Sequence, residues 1–572
     1  MELAVYAVLA VAVMVAVAAF APRLGVAAPV VLVLVGVGLS FLPGAPAVEV
    51  EPELILDIAL PPILYAAAIS LPFADFRRNI LPIGSLSVVL VLITAFGAGF
   101  LLFALLPKLA LAPAIALGAV ISPPDAVAAT AIGRRLGLPP RLLTVLEGEG
   151  LVNDATALVL LRSATAAAAG TLLTPLALGR DFVLAAVIAI AIGLAAGVVT
   201  MAVRTRLSDP VLDTAVSLAV PFVAFVPTQY FHASGVLAVV VAGLYASHAA
   251  PAALTPQARI SDRINWRTIQ FLLENGVFLL IGLELRTLLE HVDPQVFGFG
   301  PTILVALAAT LALVLIRLVW MVPLVLALRA RAAFAERALL RQWLAFDHYR
   351  RTRRGPIATR LWRRAERNYA RRRSDLEELR RDGVTARGGL VLGWSGMRGV
   401  VTLAAAQSLP KGTQYYPQLV LIAFIVAVLT LVVQGGTLPA VIRLLGVRGT
   451  DAADDQRELA ALLEELGYAG IAALDEASAG LDGIDEIDPA VLDRVRQSSF
   501  LRAEAAWERS RGPGVPLHET PNRLYLRLRL AVVKAERERL LEARRHGEFS
   551  SHALLQAQAL LDLEESRLSP AR

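Results

Sequence analysis

Residues 111–135 read LAPAIALGAVISPPDAVAATAIGRR, an apolar run of helical composition interrupted at its centre by Ser122, Pro123, Pro124 and Asp125. Consecutive prolines remove two backbone donors and clash with the preceding turn, so no continuous helix can form there. A second apolar stretch, 388–408, is weakened in the same way by the glycines of GWSGMRG (393–399), which surround Arg398. Whether these are odd elements of a soluble core or broken membrane crossings depends on the rest of the chain.

The composition decides it. Of 572 residues, 56% are hydrophobic and 18% charged, with a mean hydropathy of +0.64, which no soluble domain carries without precipitating. The sequence predicts an all-α polytopic membrane protein. Cysteine is absent, which excludes disulfide frameworks, thiolate metal sites and cysteine nucleophiles. The seven histidines form no metal-ligand spacing, and no cofactor is expected.

A crossing helix needs about 20 apolar residues, and thirteen candidate stretches lie between residues 3 and 443. The first has Glu2 where a cleaved signal would carry a basic residue, and is expected to be retained. With the N-terminus outside, the inner loops carry Arg23, Arg77, Arg78, Arg134, Arg135, Arg141, Arg204, Arg206, Arg259, Arg263, Arg267 and then 18 arginines between 329 and 387. The outer loops carry only Lys108, Arg180, Arg286 and Lys411. Because Lys and Arg collect on the cytoplasmic side, this alternation predicts thirteen spans, N-terminus out and C-terminus in. The Arg-rich segment 329–387, with Trp343, Tyr349, Trp362 and Tyr369 interleaved, reads as a helical loop facing anionic lipid head groups rather than as a nucleic-acid surface. Domain boundaries follow: a membrane domain over 1–445 and a polar, helical cytosolic tail over 446–572, broken near Gly512, Pro513 and Gly514.

Charges inside spans are costly and mark function. The deepest are Asp125, Glu149, Asp154 and Arg398. Counting 1.5 Å per residue from the inner face puts Asp154 about 18 Å and Arg398 about 15 Å deep, near the midplane. The two broken spans, five and twelve, are seven apart and so run antiparallel, as an inverted repeat of spans one to six onto eight to thirteen requires. Paired broken helices in inverted halves point to a transport site. An intramembrane aspartyl protease using Asp125 and Asp154 is an alternative, but it leaves Arg398 unexplained; an ion channel suits a single titratable carrier less well than alternating access does.

Six motifs, LPPILYAAAISLP (60–72), SPPDAVAAT (122–130), EGEGLVNDA (147–155), FHASGVLAVVVAGL (231–244), FLLIGLEL (278–285) and WSGMRGVVTLA (394–404), resemble in order those of the monovalent cation:proton antiporters, in the branch of the sodium/proton exchangers. The resemblance implies that Asp154 carries proton and Na⁺ alternately, with Asn153 beside it, and that Glu149 pairs with Arg398. It implies that Asp125 neutralises half-helix ends, with a role as ion ligand equally open, that the carbonyl of Pro124 is an ion ligand, and that the protein is a homodimer in a bacterial inner membrane. Glu147, two turns before Asp154, is a candidate entrance residue. Gly150, Ala66 and Gln229 depart from the family pattern, which leaves Na⁺, Li⁺ and K⁺ open as the cation. Arg162, Glu274, Glu284 and Arg317 are expected to snorkel or pair.

Overall fold

The computed structural model describes residues 2–24, 26–42, 50–168, 175–207, 209–292, 297–352, 384–449, 452–479 and 521–546, with scattered positions between 493 and 568. Among the described residues there are helices and no strands. Eight helices are long and apolar enough to cross a membrane, and shorter apolar helices stand between them.

In chain order these are α1 (Glu2–Leu24), α2 (Ala28–Ser40), α3 (Leu54–Ser70) and α4 (Ile80–Leu105), then the broken pass α5 (Leu111–Ile121) and α6 (Val127–Arg135). There follow α7 (Pro140–Ala168), α8 (Pro175–Arg204), α9 (Pro210–Tyr230), α10 (Gly235–Ala253), α11 (Pro256–His291) and α12 (Phe299–Thr352). The second broken pass, α13 (Ala386–Trp394) and α14 (Val400–Gln407), precedes α15 (Tyr416–Leu445). With each broken pair taken as one pass, the described residues form thirteen passes, and both breaks fall where the prolines and glycines put them. α12 runs on past the apolar stretch into the Arg-rich segment, because residues 328–352 hold strong helix formers and neither proline nor glycine. Residues 353–383 and the break at 512–514 lie outside the described residues.

The passes sort into two bundles by their packing. α1, α2, α3, α8, α9, α10 and α11 pack mainly on one another, and α4 to α7 pack with α12 to α15. Small residues set the closest approach, as membrane helices require in the absence of a hydrophobic drive between them. A Cβ added to Gly282 of α11 would lie 2.8 Å from the Cα of Gly36 in α2, so these two helices touch backbone to backbone. Large apolar side chains such as Val8, Val187, Leu304 and Val319 point outward, forming the surface expected against lipid.

The chain divides into two compact units, Met1–Gly449 and Thr450–Arg572. The second contains α16 (Ala452–Ala479) and α17 (Pro521–His546), whose Leu, Ala, Glu and Arg composition suits helices with one apolar face.

Candidate functional site

The two broken passes meet at their breaks. The backbone N–H of Asp125 donates to the carbonyl of Met397 at 2.6 Å, joining one interruption to the other. Each break exposes carbonyls at the end of one half-helix and N–H groups at the start of the next, and these ends carry opposite partial charge. The protein meets both. Asp125 accepts from the N–H of Val127 (2.8 Å) at the start of α6, and its carboxylate also abuts Gly399, the residue before α14. Arg398 serves the opposite ends: Nε donates to the carbonyl of Ile121, the last residue of α5 (3.1 Å), and Nη1 donates to the carbonyl of Gly396. Its backbone N–H donates to Oγ1 of Thr430 at 3.0 Å.

This geometry corrects the expected Glu149–Arg398 pair. Both oxygens of Glu149 are held by Arg317 of α12, Nη1 to Oε1 at 2.5 Å and Nη2 to Oε2 at 2.8 Å, with both side chains 2% exposed. Nε of Arg317 also donates to the carbonyl of Leu392. A planar guanidinium fork matches a carboxylate edge-on, and Arg317 alone presents that edge; the Arg398 guanidinium is turned toward helix-end carbonyls. The signal for Arg317 was its depth, about 15 Å from the inner end of its span at residue 327, which equals that of Arg398. Depth alone could not choose between the two.

Asn153 is wholly buried. Its Nδ2 donates to the carbonyl of Pro124 at 2.5 Å, and its Oδ1 accepts from the backbone N–H of Asp154. The amide thus ties α7 to the break between α5 and α6 and fixes Asp154 beside Asp125. The Asp154 carboxylate itself has no hydrogen bond to any described residue. It faces a cavity of about 830 Å³ lined by residues of α3, α6, α7, α10, α11 and α14 and of the first break, among them Pro124, Asp125, Gly150 and Thr402. Gly150 is a contact point: a Cβ there would lie 2.8 Å from that of Ala126, so a larger residue would press on the crossing. Ala66 is buried and does not line the cavity.

Glu147 lines the cavity nearer its mouth and is ion-paired with the more exposed Arg134 at 2.5 Å. Sequence reasoning missed a second network there. Arg204 grips Asp213 with two bonds of 2.8 Å and reaches Asp262 at 3.1 Å; Ser217 donates to Asp262 and accepts from Trp266. Toward the other end of the passes, Arg162 of α7 donates to Oε1 of Gln229 (2.5 Å) and to the carbonyl of Ala233, and Gln407 of α14 donates to Glu284 of α11. Both contacts cross from one bundle to the other.

The pattern of the family described as sodium/hydrogen exchanger, transmembrane, matches residues 9–444. The chain belongs to the sodium/hydrogen exchanger family. This makes it a multi-pass membrane transporter of sodium and protons rather than an enzyme. A Mycobacterium tuberculosis protein named as an Na⁺/H⁺ exchanger is 29% identical over 562 residues, covering 96% of this chain and 92% of its own. The Na⁺/H⁺ antiporter ApNhaP of Aphanothece halophytica is 28% identical over 434 residues, covering 74% and 70%. The sodium proton antiporter MjNhaP1 of Methanocaldococcus jannaschii at pH 8 shares the fold, with a TM-score of 0.54 at 18% identity over 78% of this chain and all of that one.

A prediction follows from the exchanger's crossing. The Cβ of Gly399→Ala would run into the Asp125 carboxylate, and overpacking of this kind costs about 1–3 kcal/mol. The variant should unfold at a lower temperature in detergent as Asp125 is displaced. A wild-type unfolding temperature would contradict this tight contact.

Proposed function

We propose that this exchanger moves one Na⁺ against one proton by alternating access, with Asp154 as the carrier of both. One observation supports this most: Asp154 faces the cavity with an uncommitted carboxylate, whereas Glu149, five residues earlier on the same helix, is neutralised by Arg317. A carboxylate withdrawn from water favours a neutralised state, and either a proton or a cation supplies it. Asn153 cannot titrate and Glu149 stays paired, so one charge enters as one leaves and exchange is electroneutral. The Pro124 carbonyl retains a second lone pair beside its bond from Asn153 and can still face the ion. Asp125, engaged by Val127, serves as helix-end neutraliser and distant ligand; nothing in this arrangement favours a protease dyad.

The cavity carries Arg134, Arg259, Arg263 and Arg267 at its mouth, the residues that the loop charge bias assigns to the cytoplasm. On this reading the cavity opens inward, while Arg162–Gln229 and Gln407–Glu284 close the two bundles on the outer side. Single cysteines introduced at Thr385 and Ser550 should then resist impermeant thiol reagents in intact cells; labelling of either would reverse the orientation.

Dequenching of a pH dye in proteoliposomes, on addition of Na⁺, Li⁺ or K⁺ in turn, tests the activity and ranks the cations. Dequenching with Na⁺ is expected; none with any of the three would refute antiport, and a response to K⁺ alone would make this a potassium/proton antiporter. The homodimeric state and a bacterial inner-membrane location belong to the same reading, as does contact of the Arg-rich segment with anionic lipid. A regulatory role for the cytosolic tail predicts that deletion after residue 450 shifts the pH profile of exchange; an unchanged profile and KM would assign the tail elsewhere.

A further inference from the structure

One face of α11 follows the cavity from mouth to depth. Asp262, Trp266, Gln270, Glu274 and Phe278, four residues apart, all line it, as a helix with neighbours at i and i+4 on one side requires. The polar groups on this face differ in how they are committed. Asp262 is bound by Arg204 and Ser217. Glu274, about 10 Å deeper than Arg267 by helical rise, takes one hydrogen bond, from Nε2 of Gln270 at 2.7 Å, and has no Lys or Arg partner among the described residues. Asp125 lines the same cavity.

The cavity therefore gathers three carboxylates, Asp125, Asp154 and Glu274, with no basic side chain bound to any of them among the described residues. Buried like charges are unfavourable unless they are neutralised, by protons or by an entering cation. Asp125 and Asp154 belong to the second bundle and Glu274 to the first, so a cation between them is held from both sides.

We propose that Glu274 is a further cation-contacting residue of the transport reaction: its carboxylate, oriented by Gln270, draws a small monovalent cation into the cavity from the first bundle and shares it with the Asp125 and Asp154 side. The inference rests on the antiport reading above. In this role Glu274 shares in holding the cation, and the one exchanged proton stays with Asp154. Because Glu274 stands on the other bundle from Asp125 and Asp154, its hold on the cation weakens when the bundles part.

The test uses the purified full chain, both in detergent for calorimetric titration with Na⁺ and Li⁺ and in proteoliposomes for dye dequenching. Glu274→Gln preserves shape and should raise the KM for Na⁺ about tenfold or more with little change in kcat, the signature of lost ground-state binding, at a wild-type unfolding temperature. Glu274→Asp should recover part of the affinity. A wild-type KM and binding isotherm in Glu274→Gln would overturn the proposal. So would a wild-type flux that responds to membrane potential and loses that response in Glu274→Gln, since Glu274 would then carry a proton. If Glu274→Gln does not fold, Glu274→Asp is measured in its place: the shortened side chain should still raise KM, and a wild-type value would remove the contact. Cation binding lost in Asp154→Asn but intact in Glu274→Gln would leave antiport standing without Glu274, whereas no cation binding to wild type would remove the antiport reading itself.

Discussion

Arg317→Ala is expected to cost about 3–5 kcal/mol, because it strands the buried Glu149 carboxylate without its counter-charge. The folded yield in detergent and the unfolding temperature should both fall. Glu149→Ala should do the same, since it leaves Arg317 between α12 and α13 with only the Leu392 carbonyl among its described partners. Replacing both residues with apolar side chains of similar volume should recover much of the loss, as the desolvation of two charges is then no longer required. Arg398→Ala acts differently: it frees the carbonyls of Ile121 and Gly396, and its loss should not be relieved by removing Glu149. Normal stability in Arg317→Ala would remove the bridge; equal rescue of Arg398→Ala by the Glu149 substitution would return the pair to Arg398.

The second large effect is on transport. Asp154→Asn keeps the side-chain shape but cannot alternate between a neutral and a charged state, so cation-driven proton movement should fall to background. Folding should survive, because the contacts that seat this segment of α7 are made by its neighbours: Asn153 on Pro124, and Glu149 on Arg317. Fluorescence-detected size exclusion separates the two outcomes. Persistent exchange in a well-folded Asp154→Asn would move the carrier elsewhere.

Much of this architecture could be read from residue order. The prolines of 122–125 and the glycines of 393–399 act through local backbone chemistry, and both interruptions stand where those residues stand. Asp154 stands out in the sequence because a carboxylate at the midplane of an apolar helix demands a reason, whereas Asn153 is picked out only by the resemblance to the antiporters. The partner of Glu149 was not legible. Arg317 and Arg398 lie at one depth, and the choice depends on which guanidinium presents its planar edge to the carboxylate, a matter of side-chain direction across three helices. Asp262, Asp213 and Arg204 were hidden for another reason: Arg204 was counted among inner-loop charges, yet it is 2% exposed and bound bidentately. Glu274 had no sequence neighbour to distinguish it from a snorkelling residue. Only the packing of α11 against the other bundle turns it into the cavity.

The central claim is that one carboxylate exchanges one cation for one proton. It is tested most directly by measuring Na⁺-driven proton flux in proteoliposomes at a fixed Na⁺ gradient, while the membrane potential is stepped with an ionophore. A single carrier that is neutral with either ligand predicts a flux, and a null point set by equal Na⁺ and H⁺ gradients, that do not move with potential. A flux or null point that shifts with the imposed potential would contradict it.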